Sequence, residues 1–258
     1  MSDKENRHPK APGGGLFQVQ CRQFKGDAWR DFADTVTPEI ALRLLWPARE
    51  PTLLWAFGED LQSLALGHAL LEFCRPGQIP RLEGAQDFDF ALTPDSEQAA
   101  PEAAPLIPLT PQAVLGAMVD FIEAGGRWDA TGCFHRAAAF DPGTGQFLRH
   151  VEDIGRHNCI DRLAGWALMA KEPLPGRFAF VSARATASLV TKAAKAGFSA
   201  LVSRSAVTTA GIAAAAQAGL SLAGFARTAR FTVFTDSASL FEGAEQTVTG
   251  PAWAVPAP

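Results

Sequence analysis

The chain has few cysteines, little charge imbalance and no long apolar run, and each scarcity removes a class of protein. Its 258 residues hold four cysteines, Cys21, Cys74, Cys133 and Cys159, too few and too scattered for the disulfide framework of a small secreted domain. The formal net charge is −4, which argues against nucleic acid as the main partner and confines any anion site to a local cluster. No apolar stretch approaches a membrane span, because threonines, glycines and Gln217 break the alanine-rich segment over 206–220. Residues 1–15 are mostly polar, end in three glycines and lack an apolar h-region, so they read as a flexible tail and not as a signal peptide. The expected location is the cytoplasm. No repeat of fixed period is visible.

What is there is an ordinary globular composition, 47% hydrophobic and 19% charged, with length enough for one large domain or two modest ones. Residues 16–92 mix short apolar runs with turn residues: 42–46 and 53–57 are strand-like, 60–74 read as a leucine-faced helix, and 81–92 as a strand region. Residues 93–111 carry five prolines among alanines and glutamates, which is linker composition. The expected division is a tail over 1–15, a smaller β-rich part over 16–92, a linker over 93–111 and an α/β domain over 112–258.

The second half alternates. Helices are expected over 112–125, 158–170, 185–196 and 207–218, with Gly197 and Gly219 stopping the last two. Strands are expected within 131–140 and over 178–181, 199–202, 220–225 and 231–234. That alternation predicts a layered α/β domain with a largely parallel sheet, whose ligands bind beyond the carboxyl ends of the strands. Those ends combine hydroxyls with arginine: Ser182 and Arg184; Ser203, Arg204 and Ser205; then Arg227, Thr228 and Arg230. Hydroxyls, helix N-termini and forked cations together suit phosphate.

The densest polar cluster is Glu152-Asp153-Ile154-Gly155-Arg156-His157-Asn158-Cys159-Ile160-Asp161-Arg162, which runs directly into an apolar helical segment. Gly155 permits a turn, Asn158 or Asp161 would cap the helix, and Arg156 and Arg162 would pair with an anion at its mouth. Cys133-x-His135 and His157-x-Cys159 form two cysteine–histidine pairs. Three readings stay open for them: small buried core residues, a redox or persulfide-bearing thiol with a histidine lowering its pKa, or four ligands to zinc or iron. Cys21 and Cys74 have no histidine at that spacing and read as structural.

The segment Thr131-Gly132-Cys133-Phe134-His135-Arg136-Ala137-Ala138-Ala139-Phe140 and the cluster over 152–162 together resemble the formate dehydrogenase accessory sulfurtransferase family. The resemblance continues at Ser182-Ala183-Arg184-Ala185, at Gly224-Phe225-Ala226-Arg227 and over 231–235. A weaker echo stands at Leu64-Ala65-Leu66-Gly67-His68. It implies a C-terminal three-layer domain similar to the cytidine deaminase fold. Deaminase chemistry is not implied, since His150-Val151-Glu152 has no Cys-x-x-Cys to complete a zinc site.

For function, the resemblance implies a protein of formate dehydrogenase maturation. Such a protein binds the molybdenum bis(molybdopterin guanine dinucleotide) cofactor and transfers sulfur to it. Its partners would be the formate dehydrogenase apoenzyme and a cysteine desulfurase as sulfur donor, and it would be a homodimer. His135, Arg156, His157, Asn158, Ser182 and Arg184 would face the cofactor, as would the segment Phe225, Ala226, Arg227, Thr228, Ala229 and Arg230. The family's Cys-Gly-x-Cys-Gly loop has no counterpart, because residues 93–111 contain no cysteine. Cys133 or Cys159 would then carry the sulfur. The alternatives are a cofactor chaperone or carrier without sulfur transfer, and a metal-binding protein built on Cys133, His135, His157 and Cys159.

Overall fold

The computed structural model describes residues 15–96 and 102–244. The tail expected over 1–15 lies outside the described residues except for Gly15, as do residues 97–101 of the expected linker.

The described chain opens with an antiparallel ribbon of β1 (Phe17–Lys25) and β2 (Ala28–Val36). Next come β3 (Ile40–Leu45), β4 (Thr52–Ala56), the helix α1 (Leu61–Glu72), β5 (Gln78–Gln86) and β6 (Asp89–Ser96). The four strands form one sheet ordered β4-β3-β6-β5. Its buried face alternates along β3 as Ile40, Leu42 and Leu44, and the two leucines pack with Leu64, Ala65 and Ala69 of α1. The strand region expected over 81–92 is in fact a hairpin, turning at Asp87 with φ 52°. β6 also runs through Thr93 and Pro94 to Ser96, so the first residues of the expected linker are strand.

The helix α2 (Pro111–Glu123) starts at Thr110, whose hydroxyl accepts the Ala113 N–H at 3.1 Å. After it come a single turn, α3 (Trp128–Thr131), the strands β7 (His135–Asp141) and β8 (Gln146–Asp153), and the helix α4 (Arg156–Ala170). The strand expected within 131–140 therefore begins late, because Gly132 at φ 65° closes α3 first. The remainder alternates as β9 (Phe178–Val181), α5 (Ala187–Lys195), β10 (Ala200–Ser203), α6 (Thr209–Ala218), β11 (Ser221–Arg227) and β12 (Arg230–Thr235).

The six strands of this half form one sheet, ordered β12-β11-β10-β9-β7-β8. Only β9, β10 and β11 are mutually parallel; β7, β8 and β12 run antiparallel to their neighbours. The sheet is mixed and not largely parallel, because the short links β7–β8 and β11–β12 cannot make a parallel crossover. Alternate residues of β9 settle the layers. Phe178 and Phe180 join α2 and Phe241 on one face, while Ala179 and Val181 join α4, α5 and α6 on the other.

The two sheets are joined where α1 crosses α4. A methyl placed on Gly67 would overlap the Asp161 carbonyl oxygen and come within 2.8 Å of the Gly165 nitrogen; one placed on Gly165 would overlap the Ser63 carbonyl. Only glycine permits that approach of two backbones. Among the described residues, no helix is long and apolar enough to cross a membrane.

Candidate functional site

Strand direction brings the sequence-predicted residues to one edge. The carboxyl ends of β9, β10 and β11 lie beside the start of β7 and the end of β8, where His135 pairs with Asp153. α4, α5 and α6 therefore all begin at this edge, as their connection to the parallel strands requires.

Most of the polar cluster over 152–162 is devoted to building that edge. Asp153, fully buried, accepts the Gly155 N–H at 2.9 Å and the Asn158 side-chain amide at 2.8 Å through Oδ1. Its Oδ2 accepts both Nε (2.8 Å) and Nη2 (2.6 Å) of buried Arg162. Arg162 also donates to the carbonyls of Phe57 (2.8 Å), Asp60 (2.9 Å) and Glu59, which ties the loop after β4 to α4. Asn158 donates to the Trp55 carbonyl at 2.8 Å as well. Gly155, not Asn158 or Asp161, is the residue preceding the first turn of α4. Asn158 is committed to the chain itself, and so is Arg162.

Asp161 belongs to a second buried group one turn deeper. Lys192 Nζ of α5 sits 2.8 and 2.9 Å from its two oxygens, and His68 Nδ1 of α1 lies 3.1 Å from Oδ2. The network joins three helices, and Lys192 further pairs with Glu72 at 3.3 Å.

What the edge leaves free is cationic and rich in N–H groups. Neither Gly155 nor Thr186, which precede α4 and α5, caps its helix with a side chain, whereas Thr208 accepts the Gly211 N–H at 3.1 Å on α6. His157 Nε2 meets Ser188 Oγ at 2.9 Å, which sets the two uncapped N-termini side by side. Arg156 stands at the start of α4 with its Nε buried and without a hydrogen-bond partner among the described residues, and Arg184 is exposed just before α5. His135 and His157 are both held below the ordinary imidazole value. Burial is the main cause for each, followed by Arg156, with Arg184 adding at His135 and Lys192 at His157. Two uncapped helix dipoles and two arginines give the edge the electrostatics of an anion site.

Ser182 is less available than its sequence position implies. Its hydroxyl accepts the Arg136 N–H at 2.9 Å and its own N–H donates to the Arg136 carbonyl at 3.0 Å, which prolongs the ladder. Arg136 in turn donates to the carbonyls of Ile122 (3.0 Å) and Gly125, closing the C-terminus of α2. Phe225 takes φ 54° and donates its N–H to Ser205 at 2.8 Å, and Ala226 is buried. Arg227, Thr228, Ala229 and Arg230 form the exposed β11–β12 turn beyond the edge. Sequence reasoning missed Ser188; the signal available was a second hydroxyl two residues after Thr186 at the start of an alanine-rich helix.

The cysteines separate by exposure. Cys159 is 1% exposed, its thiol donates to the His135 carbonyl at 3.4 Å, and burial, with Asp153 nearby, pushes it well above the usual thiol range. Burial also lifts Cys74, to about 11. Cys21 is exposed on β1, with its thiol 3.3 Å from the Phe32 carbonyl. Cys133 is exposed at the edge itself, with its N–H bonded to the Thr131 hydroxyl at 3.2 Å. All four are free thiols. Among the described residues, no three His, Cys, Asp or Glu side chains gather as a metal site.

A separate cleft of about 370 Å³ lies between the loop after β4 and the outer strand β8. Its arginines are largely neutralised: Arg127 pairs with Glu59 and Glu152, and Arg149 with Asp60 at 3.0 Å. At the carboxyl edge, by contrast, Arg156 and Arg184 stand beside two helix N-termini.

The family model described as FdhD/NarQ matches residues 83–241, which include the whole edge. The chain belongs to the FdhD/NarQ family. A "Sulfur carrier protein FdhD" from Chromobacterium violaceum is 30% identical over 267 residues, covering 88% of this chain and 98% of that protein. A protein of the same description from Bacillus subtilis is 34% identical over 138 residues, about half of each chain. The crystal structure of a protein described as a formate dehydrogenase accessory protein, from Desulfotalea psychrophila, superposes with a TM-score of 0.72. It covers 85% of this chain and 96% of its own at 18% identity, a likeness of fold.

Proposed function

We propose that this protein is a sulfur carrier serving formate dehydrogenase. In this reading it holds a phosphate-bearing end of the molybdenum bis(molybdopterin guanine dinucleotide) cofactor against the carboxyl edge and presents Cys133 as the sulfur-bearing thiol. The names of its relatives support the role. The observation that carries the site is the pair of uncapped N-termini, α4 and α5, joined by His157 and Ser188 and flanked by Arg156 and Arg184. The cofactor is cargo here: its phosphates match the free N–H groups and the unpartnered Arg156 Nε.

Sulfur acceptance follows ordinary thiol exchange. The Cys133 thiolate attacks the terminal sulfur of a persulfide on a cysteine desulfurase. The donor's S–S bond breaks, and its electron pair leaves with the donor cysteine as a thiolate. No oxidant is consumed. Cys133 is favoured over Cys159 and Cys74 because both of those are held protonated by burial. It is favoured over Cys21 because it stands at the phosphate-binding edge. After incubation with a cysteine desulfurase and cysteine, mass spectrometry should find one added sulfur on Cys133. Cys133→Ser should abolish it while Cys21→Ser leaves it. An unmodified Cys133, with nucleotide binding intact, would leave a cofactor carrier without sulfur transfer.

Guanosine diphosphate tests the edge. Its binding should weaken as salt rises, and Arg156→Ala should cost about 1.5–3 kcal/mol if a charge-assisted bond is lost. The pH response has a defined sign. His135 and His157 are lowered in the folded protein, so the unfolded chain takes up protons first; their contribution to stability is present above pH 6.5 and lost as pH falls below it. A bound phosphate offsets the repulsion from Arg156 and favours the protonated imidazole. Binding should therefore take up protons and tighten from pH 8 to pH 6, as calorimetry in two buffers of different ionisation enthalpy would read. Proton release on binding would remove the histidines from the site.

A further inference from the structure

Cys133 stands at the end of a turn that packing does not hold. None of the four residues of α3 is buried, and Trp128 is 49% exposed. A single helical turn does not persist alone in water. Glycines at positive φ bound it, Gly125 and Gly126 at 68° and 151° before it and Gly132 at 65° after it. Phe134, buried against Phe57 with ring centroids 5.0 Å apart, fixes the chain on the far side of Cys133. On the near side the anchor is polar.

Glu152 supplies it. Side chains alternate along β8, so where Asp153 turns to Arg162, Glu152 turns the other way and meets the start of α3. Both its oxygens accept the Arg127 N–H, at 3.1 and 3.2 Å, and Oε2 lies 3.3 Å from Arg127 Nη1. A methyl on Gly126 would overlap Oε1, so only glycine lets the carboxylate come this close. From Arg127 the hold runs straight to the cysteine. The Arg127 carbonyl accepts the N–H and the hydroxyl of Thr131, at 3.1 and 2.9 Å, and the Thr131 hydroxyl accepts the Cys133 N–H at 3.2 Å. We propose that Glu152 is a positioning residue for Cys133, holding the thiol at the carboxyl edge through Arg127 and Thr131.

The proposal rests on the reading of Cys133 as the sulfur-bearing thiol beside the phosphate site. Such a thiol must stand within reach of its bound cargo, since a misplacement of about 1 Å can cost on the order of 100-fold in rate. The Glu152 side chain is only 14% exposed, so solvent screens its bonds little. Asp129 accepts the Gly126 N–H at 3.1 Å, but it belongs to the turn and cannot tie the turn to the sheet. The other partners of Arg127 are Glu59 and the Phe57 ring, 4.6 Å from the guanidinium, both from the loop after β4. They hold the side chain, whereas Glu152 holds the backbone that leads to Cys133.

Alkylation by iodoacetamide, read thiol by thiol by mass spectrometry with and without saturating guanosine diphosphate, tests this. In the wild type the nucleotide should slow modification of Cys133. Exposed Cys21 should react alike in both conditions, and buried Cys159 should not react. Glu152→Ala should bind the nucleotide with unchanged affinity yet lose the protection, its Cys133 reacting at one rate with and without the ligand. Thr131→Val, which keeps the size of the side chain and removes the hydroxyl, should weaken the protection likewise. Glu152→Gln keeps an oxygen for the Arg127 N–H and should keep the protection; its loss there overturns the anchoring through that N–H. A wild type whose Cys133 the nucleotide does not protect overturns the proposal together with the reading beneath it. A protected wild type with an equally protected Glu152→Ala overturns the positioning alone. So does a Glu152→Ala variant that no longer binds nucleotide, or whose Cys159 becomes reactive, because Glu152 would then serve the binding site or the fold at large.

Discussion

Arg162→Ala should lower the unfolding free energy by about 3–5 kcal/mol, the cost of leaving a buried charge without its partner. Asp153 would keep only the Gly155 N–H and the Asn158 amide, in a position with no access to water. Three carbonyls of the loop after β4 would lose the Arg162 donor in the same step, Asp60 keeping only the Leu64 N–H. The effect should exceed that of removing an exposed pair such as Arg43–Asp89, where solvent screens both groups. Urea unfolding followed by circular dichroism measures both variants. A cost for Arg162→Ala as small as that for Arg43→Ala would mean the pair is not the clamp described above.

Gly67→Ala should be comparably severe, at about 3 kcal/mol, through crowding instead of charge. The added methyl meets the backbone of α4, which cannot swing aside as a side chain would, so the two helices must separate. Gly165→Ala should behave alike, since its methyl meets the backbone of α1. Gly116→Ala supplies the contrast. It too lies within a helix, but a methyl there meets nothing, and the better helix propensity of alanine should leave stability unchanged or raised. Equal melting temperatures for Gly67→Ala and Gly116→Ala would mean that α1 and α4 are not locked at those glycines.

The second half of the chain was the more legible. Its glycine-stopped helices and short apolar strands have the periods that sequence patterns report, and every helix expected there formed within a few residues. β8 was not legible because Gln146-Phe147-Leu148-Arg149-His150 shows neither clean alternation nor an apolar run, being an outer strand half open to solvent. The ribbon escaped notice for a related reason: with no buried face, β1 and β2 have no alternation to read. At the edge, the cluster over 152–162 was conspicuous, but its roles could not be divided from sequence. Arg156 and Arg162 look equivalent there. One faces outward at the start of α4 and the other, nearly two turns on, points into the protein, a difference fixed by which face of the helix meets the loop after β4.

The crossing at Gly67 and Gly165 also makes α4 a ruler. A helix of 15 residues is about 22 Å long. Its first turn forms part of the carboxyl edge, while its later turns carry the whole four-stranded sheet through α1. No flexible joint intervenes, since Arg162 braces the loop after β4 to the middle of the same rod. A large partner that touches both the edge and the outer sheet therefore meets two surfaces at one fixed separation. It must match that spacing from the outset, because this chain has no hinge there with which to adjust.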